Sequence, residues 1–312
     1  MLNRRHIRIK VMQTIYAMHQ SGSDNLEKQE NFLMSSLENI LDLYLILLSS
    51  LIEIRKKEIE FIEISKKKHL STSEERNPNL RFIDNQILVA LEKSNSLNIA
   101  LENRKINNWQ INDDTILMLL HDIKQSELYL NYMKKKSGTF EEDRFFIADL
   151  FSEIIAPNEK LYSYLEDFKL TWVDDFPVVN TLILKQLKQF SKEDDFRIAK
   201  MYKDVEDKDF AINLLRKTVL NEDKLTNEFI DKTPKWDIER IAEIDTIILK
   251  MAICEFLNFP SIPLKVTINE YLELAKEYST PKSSIFINGI LDNLTKDFQK
   301  ENKIKKIGRG LL

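Results

Sequence analysis

The side chains able to do chemistry are few and scattered. Histidine occurs at His6, His19, His69 and His121. No two stand at a metal-ligand spacing, and there is no HExxH pattern. The single Cys254 excludes an intrachain disulfide and a Cys-only metal site. It sits in the apolar run Met251-Ala-Ile-Cys-Glu-Phe-Leu257, which points to a buried, inert thiol. No GxxxxGK[ST], GxGxxG or GxSxG pattern occurs, so neither a phosphate cradle nor a nucleophile elbow is legible. The acids are distributed as on exposed helix faces. The expectation is a protein without a cofactor and without catalysis.

The concentrated feature is a run of cations at the N-terminus. Arg4, Arg5, Arg8 and Lys10 stand there with His6 among them, and residues 1–23 contain no Asp or Glu. A random window of that length would hold about four acids. Helical spacing places Arg4 and Arg5 near Arg8, a basic ridge beside the apolar face of Ile7, Val11, Ile15 and Met18. A guanidinium bonds phosphate bidentately and stacks on bases, which suits RNA. Cations at a helix N-terminus oppose the macrodipole by roughly 0.3–1 kcal/mol each when exposed. An anionic ligand would be favoured by both the arginines and the dipole. The alternative is a solvated basic helix end.

Long helices must position these residues. The 312 residues include only 5 Gly and 7 Pro, with 43% hydrophobic and 31% charged, a composition for an all-α protein of two domains' length. The formal net charge of −4 excludes a globally basic nucleic-acid binder but not a local basic patch. Arg8, Lys10, Gln13 and Thr14 interrupt what would be a signal peptide's apolar stretch. The most apolar run, Ile40 to Ile52, carries Asp42, Ser49 and Ser50 and is too short for a bilayer, which takes about 20 residues. A cytoplasmic protein with no membrane partner is expected. Periodicity predicts helices over 4–19, 25–68, 80–102, 113–136, 139–155, 157–170 and 174–190, then one or two over 206–230. A break at Pro234 and helices over 237–258, 264–278 and 282–298 follow. The tail, with Lys300, Lys303, Lys305, Lys306 and Arg309 around Gly308 and Gly310, is expected to be mobile.

The last third carries a resemblance. It reads Ile241-Ala-Glu-Ile-Asp-Thr-Ile-Ile-Leu-Lys-Met-Ala-Ile-Cys-Glu-Phe-Leu257, then Phe259-Pro-Ser-Ile-Pro263 and Val266-Thr-Ile-Asn-Glu270. Leu274-Ala-Lys-Glu-Tyr278, Ser283 and Phe286-Ile-Asn-Gly-Ile-Leu-Asp292 follow. In order and spacing this resembles the NusB family of transcription antitermination factors, and Arg4-Arg-His-Ile-Arg8 through Gln13-Thr-Ile-Tyr-Ala17 resembles the family's basic opening helix. The resemblance implies a NusB-like helical bundle with an additional inserted helical region. The expected division is a basic first helix at 1–20, an inserted region at 21–195, the core at 196–298 and a basic flexible tail at 299–312.

The resemblance also implies pairing with NusE, a small-subunit ribosomal protein, and binding of boxA-type single-stranded RNA. The pair joins the antitermination complex on RNA polymerase and supports transcription of ribosomal RNA. Arg4, Arg5, His6, Arg8, Lys10, Gln13 and Tyr16 match the RNA-binding opening helix. Tyr16 is placed either to stack on a base or to pack. Lys282 and Ser283 fall in the loop at the family's RNA surface, where Ser279 replaces the usual glycine. Asn269, Glu270, Asn288 and Gly289 are read as structural: the first pair satisfying free N–H groups of a helix start, the second allowing close helix packing. The family's monomers and homodimers leave a homodimer open. Two competing readings stand beside this. One is a helical scaffold or docking protein acting through the insertion, with Lys66–Lys68 and Lys134–Lys136 as an RNA path or as solvated helix ends. The other is a relative of RNA methyltransferases, for which no catalytic Cys motif and no remaining length are expected.

Overall fold

The computed structural model describes residues 2–69, 72–192, 195–202, 204–230 and 241–311. The helices are α1 (Arg4–Ser21), α2 (Leu26–Lys67), α3 (Ser73–Arg76), α4 (Gln86–Lys93), α5 (Asn95–Asn103), α6 (Asn108–Ile111), α7 (Asp113–Gln125) and α8 (Glu127–Met133). They continue as α9 (Phe140–Leu150), α10 (Glu159–Phe168), α11 (Phe176–Gln189), α12 (Val205–Val219), α13 (Glu222–Ile230), α14 (Glu243–Asn258), α15 (Leu264–Tyr278) and α16 (Ser283–Lys300). No strand occurs among the described residues, so the fold is all-α. The expected break at Pro234 and residues 237–240 of the helix expected over 237–258 lie outside the described residues; Ile241 and Ala242, expected within that helix, precede α14, which starts at Glu243.

The chain forms two compact units, residues 2–37 with 202–312, and residues 38–201. The expected insertion began at 21 and ended at 195; the structure groups α1 and the start of α2 with the C-terminal helices, and the segment up to Met201 with the insertion.

In the first unit α1 packs against α12 and α14, and α15 lies against α14 and α16. Asn3 caps α1 by accepting from His6 N–H at 2.8 Å. Gly22 closes it in the left-handed region (φ 60°), its N–H reaching the carbonyls of Met18 and His19, a conformation glycine adopts without steric cost. Helix α14 is buried from Ile247 to Phe256. A helix apolar on every side has no other place than the interior.

The tail is docked, against expectation. Ile307 N–H donates to Pro260 O at 3.0 Å, and Lys306 Nζ donates to Phe259 O at 2.9 Å and Glu255 O at 3.3 Å. These carbonyls lie at the C-terminal end of α14 and in the loop that follows it, where a cation is favoured. Burial lowers the Lys306 ammonium to about 8.

In the second unit, the remainder of α2 is a carbonyl-lined post for two indoles. Trp172 donates to Asn39 O at 2.8 Å and Trp109 to Ile46 O at 3.0 Å, both rings buried. Both tryptophans are core anchors. The helices expected over 80–102 and 113–136 are each two. Ser94 and Ser126 interrupt them, each accepting from the N–H three residues on, because serine competes for backbone donors and starts a new helix better than it continues one. The helix expected over 139–155 ends as a helix at Leu150 and continues as a π-turn, Phe151–Ile155.

Candidate nucleic-acid interface

The three arginines of α1 each meet an acid brought by a different helix. Arg5 donates through Nε and Nη2 to the two oxygens of Glu270 on α15, at 2.9 and 3.0 Å. That hydrogen bonding holds its guanidinium more firmly protonated. Arg4 Nε reaches Asp207 of α12 at 3.2 Å, with its guanidinium 5.2 Å from the centre of the Phe210 ring. Arg8 is 2% exposed and pairs bidentately with the fully buried Glu255 of α14, both contacts 2.8 Å. Thr267 Oγ1 donates to the same carboxylate at 2.7 Å and Tyr271 OH at 3.3 Å. Burial alone would lower the Arg8 pKa; the charge and hydrogen bonds of Glu255 outweigh it, and the net direction is upward.

This geometry corrects the basic ridge. Arg8 lies in the core, where a charge is tolerated because every lone pair of its partner is engaged. His6 and Lys10 are also buried, at 2% and 1% exposure. His6, Lys10 and Gln13 are each engaged within the chain. The unfavourable placement of cations at the start of α1 is therefore offset by Asp207, Glu255 and Glu270, without recourse to a ligand. Arg4 and Arg5 remain partly exposed and, with Arg8, line a cleft of about 610 Å³ whose other wall is Ser261–Pro263 and Val266. Tyr16 is 39% exposed.

The loop before α16 divides in the same way. Lys282 is exposed. Ser283 is buried and donates to Asp245 Oδ2 at 2.7 Å, while its hydroxyl also meets those of Ser279 and Thr280 at 3.0 and 2.8 Å. Its position is a structural joint between α16 and α14 rather than an exposed contact. Because Arg8 meets Glu255 while His19 meets Glu243, α1 and α14 run antiparallel. The Lys282 loop thus lies toward the Tyr16–His19 end of α1. Arg4 and Arg5 stand at the other end of a helix about 27 Å long.

The two pairs read as structural are also revised. Glu270 does not cap α15, which has no side-chain cap; it holds Arg5. Gly289 does not admit a neighbouring helix: it is exposed, and no atom lies within 4 Å of where a Cβ would stand. Asn288 Nδ2 donates to Asp292 at 3.3 Å.

One charged cluster escaped the sequence. His19 lies between Glu222 of α13, 2.9 Å from Nε2, and Glu243 of α14, 3.0 Å from Nδ1. Lys250 Nζ donates to Glu222 at 2.7 Å. The hydrogen bond to Glu222 raises the His19 pKa. No periodicity or motif marks these residues. Burial pushes the Cys254 thiol up to about 11, as suits an inert core thiol. Among the described residues no group of three His, Cys, Asp or Glu side chains is placed to hold a metal.

The class defined here is an all-helical bundle whose opening helix is bound to three core helices through its arginines. Residues 178–296 match the model of the NusB family. The chain is similar to the transcription antitermination protein NusB of Salinibacter ruber, 42% identical over 106 residues, which is 34% of this chain and 66% of that protein. It is similar to the protein of the same name from Chloroherpeton thalassium, at 37% over 109 residues (35% and 52%). The Clostridium kluyveri protein of that name is 45% identical over 100 residues (32% and 62%). The chain thus spans between half and two thirds of the length of these relatives. No solved structure matches it. No helix among the described residues is long and apolar enough to cross a membrane.

Proposed function

We propose that this chain is a non-enzymatic transcription antitermination factor of the cytoplasm. It pairs with NusE, binds boxA-type single-stranded RNA and joins the antitermination complex on RNA polymerase, supporting transcription of ribosomal RNA. The observation that carries this reading is the match of residues 178–296 to the family model, together with similar relatives that bear the name transcription antitermination protein. In this reading Arg4, Arg5 and Lys282 contact the RNA, supported by their exposure, and Tyr16 offers a ring. Arg8, His6, Lys10 and Ser283 act by holding α1 and the Lys282 loop in place.

The test is a fluorescence-anisotropy titration of the full chain with a boxA-type RNA and a scrambled control. It is run with and without the cognate NusE at two salt concentrations. Selective binding that tightens with NusE is expected. Arg5→Ala and Lys282→Ala should each weaken it and reduce the salt slope by about 0.7 per lost phosphate contact. Equal, weak binding to both RNAs, indifferent to NusE, would overturn the reading.

A further inference from the structure

The unit of residues 38–201 contains a cleft separate from the one lined by the arginines of α1, and its lining residues fall within the stretch that matches the family model. It lies between the C-terminal half of α11 and the segment 195–200, and its volume is about 660 Å³, within the range of ligand-binding clefts. We propose that this cleft is a second binding site, for single-stranded nucleic acid.

The wall of the cleft is built, not draped. The Phe196 ring is buried and its carbonyl accepts from Ser94 Oγ at 2.6 Å and Ser96 Oγ at 3.2 Å. Ile198 N–H donates to Ser96 Oγ at 3.2 Å, and Ala199 N–H to Tyr44 OH at 3.1 Å. Gln186 donates to Arg197 O. A segment tied at four successive residues holds its side chains in place, so little ordering entropy is lost when a ligand binds.

Among the described residues the cations lining the cleft outnumber the acids. Lys185, Arg197 and Lys200 line the cleft and are exposed, and none forms an ion pair with a described residue. Asp195 is the one acid among the described lining residues. Helix α11 itself, Phe176–Gln189, contains no Asp or Glu. This contrasts with α1, whose arginines are matched one for one by acids. A neighbouring cleft of about 440 Å³ shares Asp195, Phe196 and Arg197 and adds Lys93, which is exposed and forms no ion pair with a described residue. The four cations therefore span two clefts that share Arg197 rather than surrounding a point.

The chemistry of the floor selects the ligand. Leu182 and the edges of Phe190 and Phe196, rings 5.6 Å apart, offer an apolar base beneath the cationic rim. Single-stranded nucleic acid supplies what this needs: flat apolar bases for the floor and regularly spaced phosphates for the rim. An acidic peptide would satisfy the rim and leave the floor unfilled.

The inference stands apart from the boxA reading, and one experiment separates them. The full chain is titrated with a fluorescein-labelled oligouridylate 12-mer and an oligothymidylate 12-mer at low and moderate salt, and crosslinked to the oligouridylate by ultraviolet light. The triple variant Lys185→Ala, Arg197→Ala, Lys200→Ala should bind both at least about tenfold more weakly. Its salt slope should fall by about 2, three lost phosphate contacts at roughly 0.7 each. Crosslinks should map within 182–200, and the charge-preserving variant Lys185→Arg, Arg197→Lys, Lys200→Arg should restore binding. Wild-type affinity and slope in the triple variant would overturn the proposal, as would crosslinks confined to α1. Displacement of the oligonucleotide by polyglutamate at equal charge would overturn it in favour of a protein partner. Loss of binding in Arg5→Ala but not in the triple variant leaves only the α1 site; the reverse leaves only the second one.

Discussion

Arg5 and Arg8 carry the same charge one turn apart on the same helix, yet their substitutions report on different things. Arg8→Ala leaves Glu255 buried without its cation, a loss of about 3–5 kcal/mol, whereas Arg5→Ala removes a half-exposed pair worth less than about 1 kcal/mol. Urea unfolding of the two variants should show this contrast; equal midpoints would place Arg8 outside the core. A combined alanine variant of the arginines therefore measures folding before it measures RNA. The cations were legible in the sequence because they cluster, but their partners were not. Asp207, Glu255 and Glu270 stand 203, 247 and 265 residues further along, and no local pattern pairs residues across such distances. His19 gives a second measurement at this scale. Only an imidazolium donates at both ring nitrogens, here to Glu222 and Glu243. Its pKa is raised from 6.5, so its contribution is complete below that value and is lost as pH rises through the folded-state pKa. Glu222 is depressed below its usual 4.5: burial opposes the shift, but the hydrogen bonds from His19 and Lys250 and their charges prevail. Its contribution is present above 4.5 and is lost as pH falls. The melting-temperature gap between the native chain and His19→Gln should thus be wide near about pH 6 and narrow near about pH 8.5. A gap independent of pH would mean that the imidazole stays neutral.

The last two helices of the core were read from the sequence almost to the residue, because hydrophobic periodicity and prolines mark them directly. The helix expected over 264–278 is α15, Leu264–Tyr278, and that expected over 282–298 is α16, Ser283–Lys300. Reading failed where one polar residue divides a periodic run, as at Ser94 and Ser126, since the apolar spacing continues across the break while the backbone does not. It failed again at the tail, whose glycines suggested mobility. Gly310 is instead a point of close approach: a Cβ there would stand 1.9 Å from Pro260 O, so only glycine lets the tail lie on the loop between α14 and α15. Gly289 is the opposite case, a glycine in a helix interior with open space around it. Glycine at such a site costs roughly 0.5–1 kcal/mol relative to alanine, and nothing within the chain compensates. Gly289→Ala should therefore raise stability by about that amount in thermal unfolding. A destabilised variant would show that the backbone of α16 is not regular there.

At the scale of the molecule, the resemblance and the structure divide the chain in different places, and the difference has a physical consequence. Family motifs trace only the helices that carry them, so everything between 21 and 195 read as insertion. Compactness instead follows the cores, and each unit has its own: the α1–α12–α14 packing with Arg8 and Glu255 in one, and Trp109, Trp172 and the Phe82–Phe146–Tyr132 aromatic group in the other. Of the three tryptophans, Trp109 and Trp172 lie in the unit of residues 38–201. Trp236→Phe would leave fluorescence reporting on that unit alone, while far-UV circular dichroism reports the helices of both. Separate cores predict transitions that do not coincide in urea, because a two-state chain must lose every signal together. Coincident midpoints would mean that helix α2, whose Leu26–Lys67 span contributes residues to both units, transmits cooperativity along its length. The binding of nucleic acid by one unit would then stabilise the other by mass action. If the transitions separate, a saturating oligouridylate should move the fluorescence transition together with the dichroism phase that coincides with it and leave the other dichroism phase in place, an outcome that assigns ligand and unit in the same titration.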